Sequence, residues 1–148
     1  MEFEYKRYLY PDGRMIARPV IPILLRNPRN RESIEYEALV DSGADRCVFP
    51  SEIGEMIGLD VEAGDREFIS GAVSGEPRSL YLHPVEITPM GDGASRKILL
   101  HAGFMTDLSD SGHGLLGHHG FFDGISFIKF RSHKGIFEIG TRLKVGRT

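Results

Sequence analysis

Residues 33–40, SIEYEALV, constrain the fold of this chain more than any other stretch. Apolar side chains recur there at every second position, which is the period of a β-strand, and they are Ile34, Tyr36, Ala38 and Val40. From residue 38 onward both faces of the strand are apolar, as expected of a strand that enters a hydrophobic core. The next residue is Asp41. The pattern therefore predicts an acidic side chain held at the end of a buried strand.

The rest of the sequence predicts a mainly β fold with one or two short helices. The 148 residues include 18 Gly and 8 Pro and lack long helical periodicity, which is typical of short strands joined by turns. Further strands and one hairpin are predicted from alternating or apolar runs bounded by turn residues. The strands lie at 18–25, 96–105 and 134–140, and the hairpin at 66–87.

Two segments carry helical signals. Residues 50–60 predict a short helix with Ser51 as its N-cap and Gly58 at its end. Its buried stripe is expected to consist of Ile53, Met56 and Ile57. Residues 113–130 predict an apolar strand that ends at Gly117, a helical turn and then another strand. The core side chains expected from this segment are Phe121, Phe122, Phe127 and Phe130.

Length and composition fit a single globular domain, with 41% hydrophobic and 26% charged residues. The net charge of −3 argues against a nucleic-acid-binding face, and no apolar run approaches the ~20 residues of a membrane span. Cys47 is the one cysteine, which excludes an intramolecular disulfide and suits a reducing compartment. The N-terminal residues lack the apolar centre of a signal peptide. We therefore expect a cytoplasmic protein with neither nucleic-acid nor membrane partners.

The triplet Asp-Ser-Gly occurs twice, at residues 41–43 and 110–112. A carboxylate that activates water must be held rigidly, and a following Gly allows a tight turn against a substrate. Asp41 meets this requirement because an apolar strand precedes it and an apolar segment follows its loop. Asp110 lies in the polar, turn-like stretch TDLSDSGHG, so we interpret it as part of a surface loop. Taken alone, Asp41 could equally be a turn residue that accepts backbone hydrogen bonds.

Two further groups of residues have simple structural interpretations. His113, His118 and His119 match no standard metal-ligand spacing, so we interpret them as loop and helix-start residues. Cys47 is interpreted as a small buried apolar residue behind the Asp41 loop rather than as a nucleophile.

Four segments, in this order, resemble the retroviral-type (retropepsin-like) aspartic protease family across most of residues 16–130. They are RPVIPI as the opening strand, ALVDSGAD as the catalytic loop, ISGAVSGEP as the flap hairpin and GLLGHHGFF as the apolar-apolar-Gly element with its following helix. The resemblance implies a barrel-like acid protease fold. It assigns the protease domain to residues 16–131. Outside the match we expect an N-terminal arm at 1–15, which ends at a Pro-Asp-Gly turn signal, and a C-terminal strand and tail at 132–148.

The resemblance further implies an aspartic endopeptidase that works as a homodimer on peptide or protein substrates, without a metal or organic cofactor. Each subunit would supply one Asp41 to a dyad that shares a single proton. The active-site loop would then consist of Asp41, Ser42, Gly43 and Ala44. The flap that closes over the substrate would consist of Ile69, Ser70, Gly71, Ala72, Val73, Ser74 and Gly75.

An ion-pair network near the dimer interface is also implied by the resemblance. It would join Arg18, Asp45 and the residue directly after the apolar-apolar-Gly element. The family has Arg at that last position, whereas this chain has His118, which we expect to pair with Asp45. The alternative function is a non-proteolytic module of the same fold that binds peptides or dimerises. The intact Asp-Ser-Gly loop favours the protease.

Overall fold

The computed structural model describes residues 1–69, 77–93, 95–106, 108 and 113–141. Its strands are β1 (Glu2–Glu4), β2 (Lys6–Leu9), β3 (Met15–Arg18), β4 (Val20–Arg26), β5 (Ser33–Val40), β6 (Val48–Pro50), β7 (Asp65–Ile69), β8 (Arg78–Pro89), β9 (Ile98–Met105), β10 (Gly114–Leu116), β11 (Ile125–Arg131) and β12 (Ile136–Thr141). Its helices are α1 (Ser51–Met56) and α2 (Phe121–Gly124), with 3-10 turns at Val61–Ala63 and Ser132–Lys134. The predicted mainly β fold with one or two short helices is confirmed.

Seven strands form a sheet in the order β4-β5-β10-β6-β9-β8-β7, and β4 also pairs with β8. The long strand β8 makes this closure possible, since Arg78–Leu82 pairs with β7 and Glu86–Pro89 pairs with β4. Two of the pairings are parallel, β5 with β10 and β6 with β9. The sheet therefore curls into a barrel, and its inward-facing side chains form the main hydrophobic core.

The two ends of the chain meet in a second, three-stranded sheet of order β1-β12-β11. Phe3 of β1 and Phe137 and Ile139 of β12 belong to the same core as the barrel side chains. Strands β2 and β3 form a separate hairpin around the turn at residues 10–14, where the Tyr10 amide donates to the Arg14 carbonyl at 2.8 Å. The domain limits at residues 15 and 131 stay predictions.

Helix α1 differs in detail from its sequence prediction. Its N-cap is Pro50, so Ser51 is the first helical residue, and its buried hydroxyl lies 3.5 Å from that of Thr106. Met56, expected in the buried stripe, is exposed, whereas Ile57 is fully buried as predicted. The helix packs through Gly54 instead, because a Cβ there would come within 2.8 Å of Phe104. No helix within the described ranges is long and apolar enough to cross a membrane.

Two of the four phenylalanines predicted for the core are exposed. Phe121 is fully buried and Phe122 packs partly against the core, as expected. Phe127 and Phe130 expose 53% and 44% of their surface because β11 is the edge strand of its sheet. Phe127 covers Gly140 on the neighbouring strand, where a Cβ would meet its ring at 2.3 Å.

Candidate active site

Asp41 directly follows β5, and the end of this strand lies between two neighbours. Val40 stands in register with Leu116 of β10, and the Val40 amide donates to the Pro19 carbonyl at 2.9 Å. The Asp41 amide in turn donates to the Leu116 carbonyl at 3.0 Å. Val40 is buried, whereas the side chain of Asp41 is only half-buried. The predicted strand is confirmed, and it delivers a carboxylate from the core to a partly open surface.

The turn after Asp41 fixes the orientation of its carboxylate. The amide of Gly43 donates a hydrogen bond to Oδ1 of Asp41 at 2.9 Å, and the amide of Ala44 donates to the Asp41 carbonyl at 3.1 Å. Within the described part of the chain, Oδ2 of Asp41 accepts no hydrogen bond. Ser42 and Gly43 are exposed. The loop therefore holds one carboxylate oxygen and leaves the other available to a ligand or a water molecule.

The segment after β10 supports this loop from behind. A Cβ at Gly117 would lie 2.4 Å from the Arg46 carbonyl oxygen and 2.6 Å from that of Ala44. The next two amides, of His118 and His119, donate to the carbonyls of Ala44 and Asp45 at 2.9 and 2.8 Å. The Gly of the apolar-apolar-Gly element is thus required by close backbone approach, and the two segments act as one packed unit.

Within the single chain, the ring of His118 contacts the loop after Asp41 and helix α2. Its Nε2 lies 2.6 Å from the carbonyl oxygen of Ser42, and the ring stacks on Phe122 with centroids 4.7 Å apart. Among the described residues, no ion pair joins His118 to Asp45. In the single chain the imidazole of His118 contacts the Ser42 carbonyl because that carbonyl lies next to it.

The other two residues predicted for a dimer network lie apart in the single chain. Asp45 is exposed and its carboxylate makes no hydrogen bond or ion pair to the described residues. The guanidinium of Arg18 donates to the hydroxyl of Tyr10 at 2.5 Å and lies 3.4 Å from Nε2 of His113. A single chain therefore does not bring Arg18, Asp45 and His118 together, and their shared role stays a prediction.

The hairpin that carries the predicted flap is present. Strands β7 and β8 pair from Asp65 opposite Leu82 to Ile69 opposite Arg78. Ile69 packs against the small cluster of Val48, Leu80 and Met105. The remaining predicted flap residues, Ser70, Gly71, Ala72, Val73, Ser74 and Gly75, lie outside the described residues. The second Asp-Ser-Gly triplet, at residues 110–112, also lies outside them.

The chain is similar in structure to known aspartic proteases. It superposes on the crystal structure of a retropepsin-like aspartic protease from Rickettsia conorii with a TM-score of 0.55 and 18% identity, covering 94% of this chain and 89% of that one. The fold is retropepsin-like. The EIAV protease complexed with the inhibitor HBY-793 gives a TM-score of 0.36 and 17% identity, covering 75% and 88% of the two chains. In sequence, no family model matches the chain and no curated protein is significantly similar to it.

An ion pair that no local sequence pattern indicates connects the segment after the Asp41 loop to strand β7. The guanidinium of Arg46 donates to Oε1 of Glu67 on β7 at 2.9 Å, and both side chains are about one-third exposed (32% and 39%). The two residues lie 21 positions apart, so no local pattern could have revealed the pair.

Cys47 lies beneath the loop and is fully buried, as predicted. Its Sγ accepts a hydrogen bond from the Gly117 amide at 3.4 Å. Burial raises the pKa of the thiol to about 11. Its effect is larger than that of the backbone hydrogen bonds to the sulfur, which lower the pKa. The thiol is therefore protonated at neutral pH and acts as packing.

The three histidines considered as metal ligands have separate environments. His113 is buried beside Arg18, His118 contacts the Ser42 carbonyl, and the exposed ring of His119 lies 3.8 Å from the carboxylate of Asp123. Within the part of the chain that the structure describes, no group of three His, Cys, Asp or Glu side chains could hold a metal ion.

Proposed function

We propose that this chain is an aspartic endopeptidase whose active site combines Asp41 from two identical subunits. The observation that carries the proposal is the setting of this carboxylate. It leaves a buried strand of a retropepsin-like fold, and the Gly43 amide orients its Oδ1 at 2.9 Å. Such rigid support is what water-activating carboxylate chemistry requires.

Two chains are needed because, among the residues that the structure describes, one carboxylate has this setting. Ser42 and Gly43 are exposed, so the loop can approach the same loop of a second copy. Asp45 adds support, because its carboxylate is exposed beside the loop and can take a cation from the partner. We propose Arg18 of the partner subunit for that role.

The mechanism follows from the electrostatics of two adjacent carboxyl groups. At about 3 Å apart they cannot both ionise, so the pair holds one proton between them. The ionised carboxylate takes a proton from water, whose oxygen attacks the carbonyl carbon of the peptide. The protonated partner polarises the carbonyl oxygen by donating its proton to it. Collapse of the tetrahedral intermediate breaks the C–N bond, and the amine leaves with a proton from the dyad.

The substrate proposed is an extended peptide covered by the flap at residues 69–75. Closure of such a hairpin would exclude water and offer backbone groups to the peptide. The contact between Arg46 and Glu67 supports this assignment, since it ties strand β7, which leads into the proposed flap, to the segment just after the proposed active-site loop.

Incubation with a peptide library from acid to neutral pH tests the proposal. The wild type should cleave, the Asp41→Asn variant should not, and both should show the same circular dichroism and melting curve. The matched control is Asp110→Asn, the same change in the other Asp-Ser-Gly triplet, which should retain activity. Peptide binding without cleavage by the wild type would refute the protease and favour a binding module.

A further inference from the structure

We infer that His118 is a positioning residue that acts on Asp41 through one rigid peptide unit. This inference rests on the proposed function. Nε2 of His118 lies 2.6 Å from the carbonyl oxygen of Ser42. The amide that follows this carbonyl is that of Gly43, which donates to Oδ1 of Asp41 at 2.9 Å. The C=O and N–H of a trans peptide are fixed in one plane, so holding the first orients the second.

The chain of contacts therefore runs from imidazole to peptide to carboxylate. Hydrogen bonds linked in this way polarise and strengthen each other. The main chain of His118 adds a second anchor, because its amide donates to the Ala44 carbonyl at 2.9 Å. One residue thus holds the carbonyls on both sides of Gly43, whose own freedom would otherwise let the turn rotate.

The imidazole is itself held in place by helix α2. Its ring stacks on Phe122 at a centroid distance of 4.7 Å and an interplanar angle of 24°. The ring of Phe122 in turn contacts the fully buried ring of Phe121 edge-on, with centroids 5.9 Å apart. The amide of Phe122 donates to the Gly117 carbonyl at 3.2 Å. The helix that follows the apolar-apolar-Gly element therefore sets the position of the Asp41 loop through this ring.

A carbonyl oxygen can only accept a hydrogen bond, so Nε2 of His118 must carry a hydrogen. The neutral tautomer protonated at Nε2 provides it, and so does the imidazolium ion. The neutral tautomer protonated only at Nδ1 does not. The contact to Ser42 therefore defines the tautomer of the neutral ring, which an experiment can read directly.

Kinetics of substitutions at residue 118 test the role in catalysis. The amide nitrogen of Gln can reach the position of Nε2, whereas the shorter Asn reaches only that of Nδ1. His118→Ala and His118→Asn should lower kcat by about tenfold or more with little change in KM, since small displacements of a catalytic group are costly. His118→Gln should restore most of kcat. His119→Ala, which removes the exposed neighbouring imidazole, should behave as wild type. Equal loss in the Gln and Asn variants would overturn the inference.

A spectroscopic test does not depend on catalysis and uses the Asp41→Asn protein with its histidine rings labelled with ¹⁵N. In its neutral form, the ring of His118 should show the tautomer protonated at Nε2. The Gly43 amide should exchange faster in His118→Asn than in His118→Gln. A ring protonated at Nδ1, or equal exchange in both variants, would overturn the inference. Both results are independent of whether the wild type cleaves peptides, so they separate this inference from the proposed function.

Discussion

Gly117 lies directly against the carbonyl oxygen of Arg46, with room for a hydrogen but not for a methyl group. A Cβ at residue 117 would come within 2.4 Å of that oxygen. The contact joins the segment after β10 to the loop that carries Asp41, and both partners are backbone, which cannot rotate away as a side chain can. The geometry of the proposed active site therefore depends on the absence of a side chain at this position.

Gly117→Ala should destabilise the fold and reduce activity per folded molecule. Overpacking of this kind costs about 1–3 kcal/mol, and its relief would displace the Asp41 loop. Urea unfolding and kcat measure the two effects separately.

Gly135→Ala serves as the control for this change. A Cβ at residue 135 would meet open space, but the backbone there has a φ of 66°. The variant should therefore lose only about 1–2 kcal/mol of stability, which is what an L residue costs in the left-handed region. It should lose stability and keep its kcat. If both variants keep the wild-type kcat, the loop does not depend on Gly117.

The buried thiol of Cys47 should make stability fall in alkaline solution. Burial raises its pKa from 9.0 to about 11, so the folded chain keeps the proton that the unfolded chain loses between these values. This contribution to the free energy of unfolding is complete below pH 9 and is lost as the pH rises toward 11. The total loss is about 2–3 kcal/mol, since a pKa difference of one corresponds to about 1.36 kcal/mol. Urea midpoints from pH 8 to 11 measure it. Cys47→Ala should show a shallower decline, and parallel curves for the two proteins would refute the assignment.

Asp45→Asn should weaken the proposed dimer without changing the monomer fold. Its carboxylate has no ion pair among the described residues of its own chain, so the proposed partner is Arg18 of the other subunit. The pair would occur twice in a symmetric dimer, and each exposed pair contributes about 0.2–1 kcal/mol. Loss of both corresponds to a rise of about two- to thirtyfold in the dimer dissociation constant. Sedimentation at several concentrations measures it. Asp12→Asn, which breaks an exposed pair with Arg14 inside the hairpin, should leave dimerisation unchanged. An equal dissociation constant in both variants would remove Asp45 from the interface.

Ala44→Ser should move the pH–rate profile to lower pH. The amide of Ala44 donates to the Asp41 carbonyl at 3.1 Å, so residue 44 lies close to Asp41. We expect a hydroxyl at residue 44 to add a hydrogen-bond donor near the proposed dyad. Donors favour the ionised form of a carboxyl pair. The acidic limb of the profile should therefore shift downward relative to the wild type. An unchanged or less acidic optimum would show that the hydroxyl does not reach the carboxylates.

The parts of the fold that follow a strict period could be predicted from the sequence. Strand β5 matches its predicted residues because alternation and two-sided apolarity both depend on neighbours along the chain. The β7–β8 hairpin and the strand before Gly117 follow from the same kind of local pattern. These elements carry Asp41, the base of the proposed flap and the segment that supports the Asp41 loop, so the sequence alone predicts where the proposed site lies.

The errors arise where packing depends on small residues or distant strands. Met56 is exposed because α1 faces the core through Gly54, and a glycine gives no hydrophobic signal. Strand β1 has no local signal in residues 1–15, because it pairs with β12 at the other end of the described chain. None of these contacts produces a periodic pattern of apolar residues in the sequence.

The central claim is that two chains share one dyad, and mixing wild type with Asp41→Asn tests it most directly. After subunit exchange at a total concentration well above the dimer dissociation constant, only dimers of two wild-type chains would be active. At equal amounts these are about one quarter of all dimers, so activity should fall with the square of the wild-type fraction. A linear fall, to about one half at equal amounts, would mean that each chain works alone and would contradict the shared dyad.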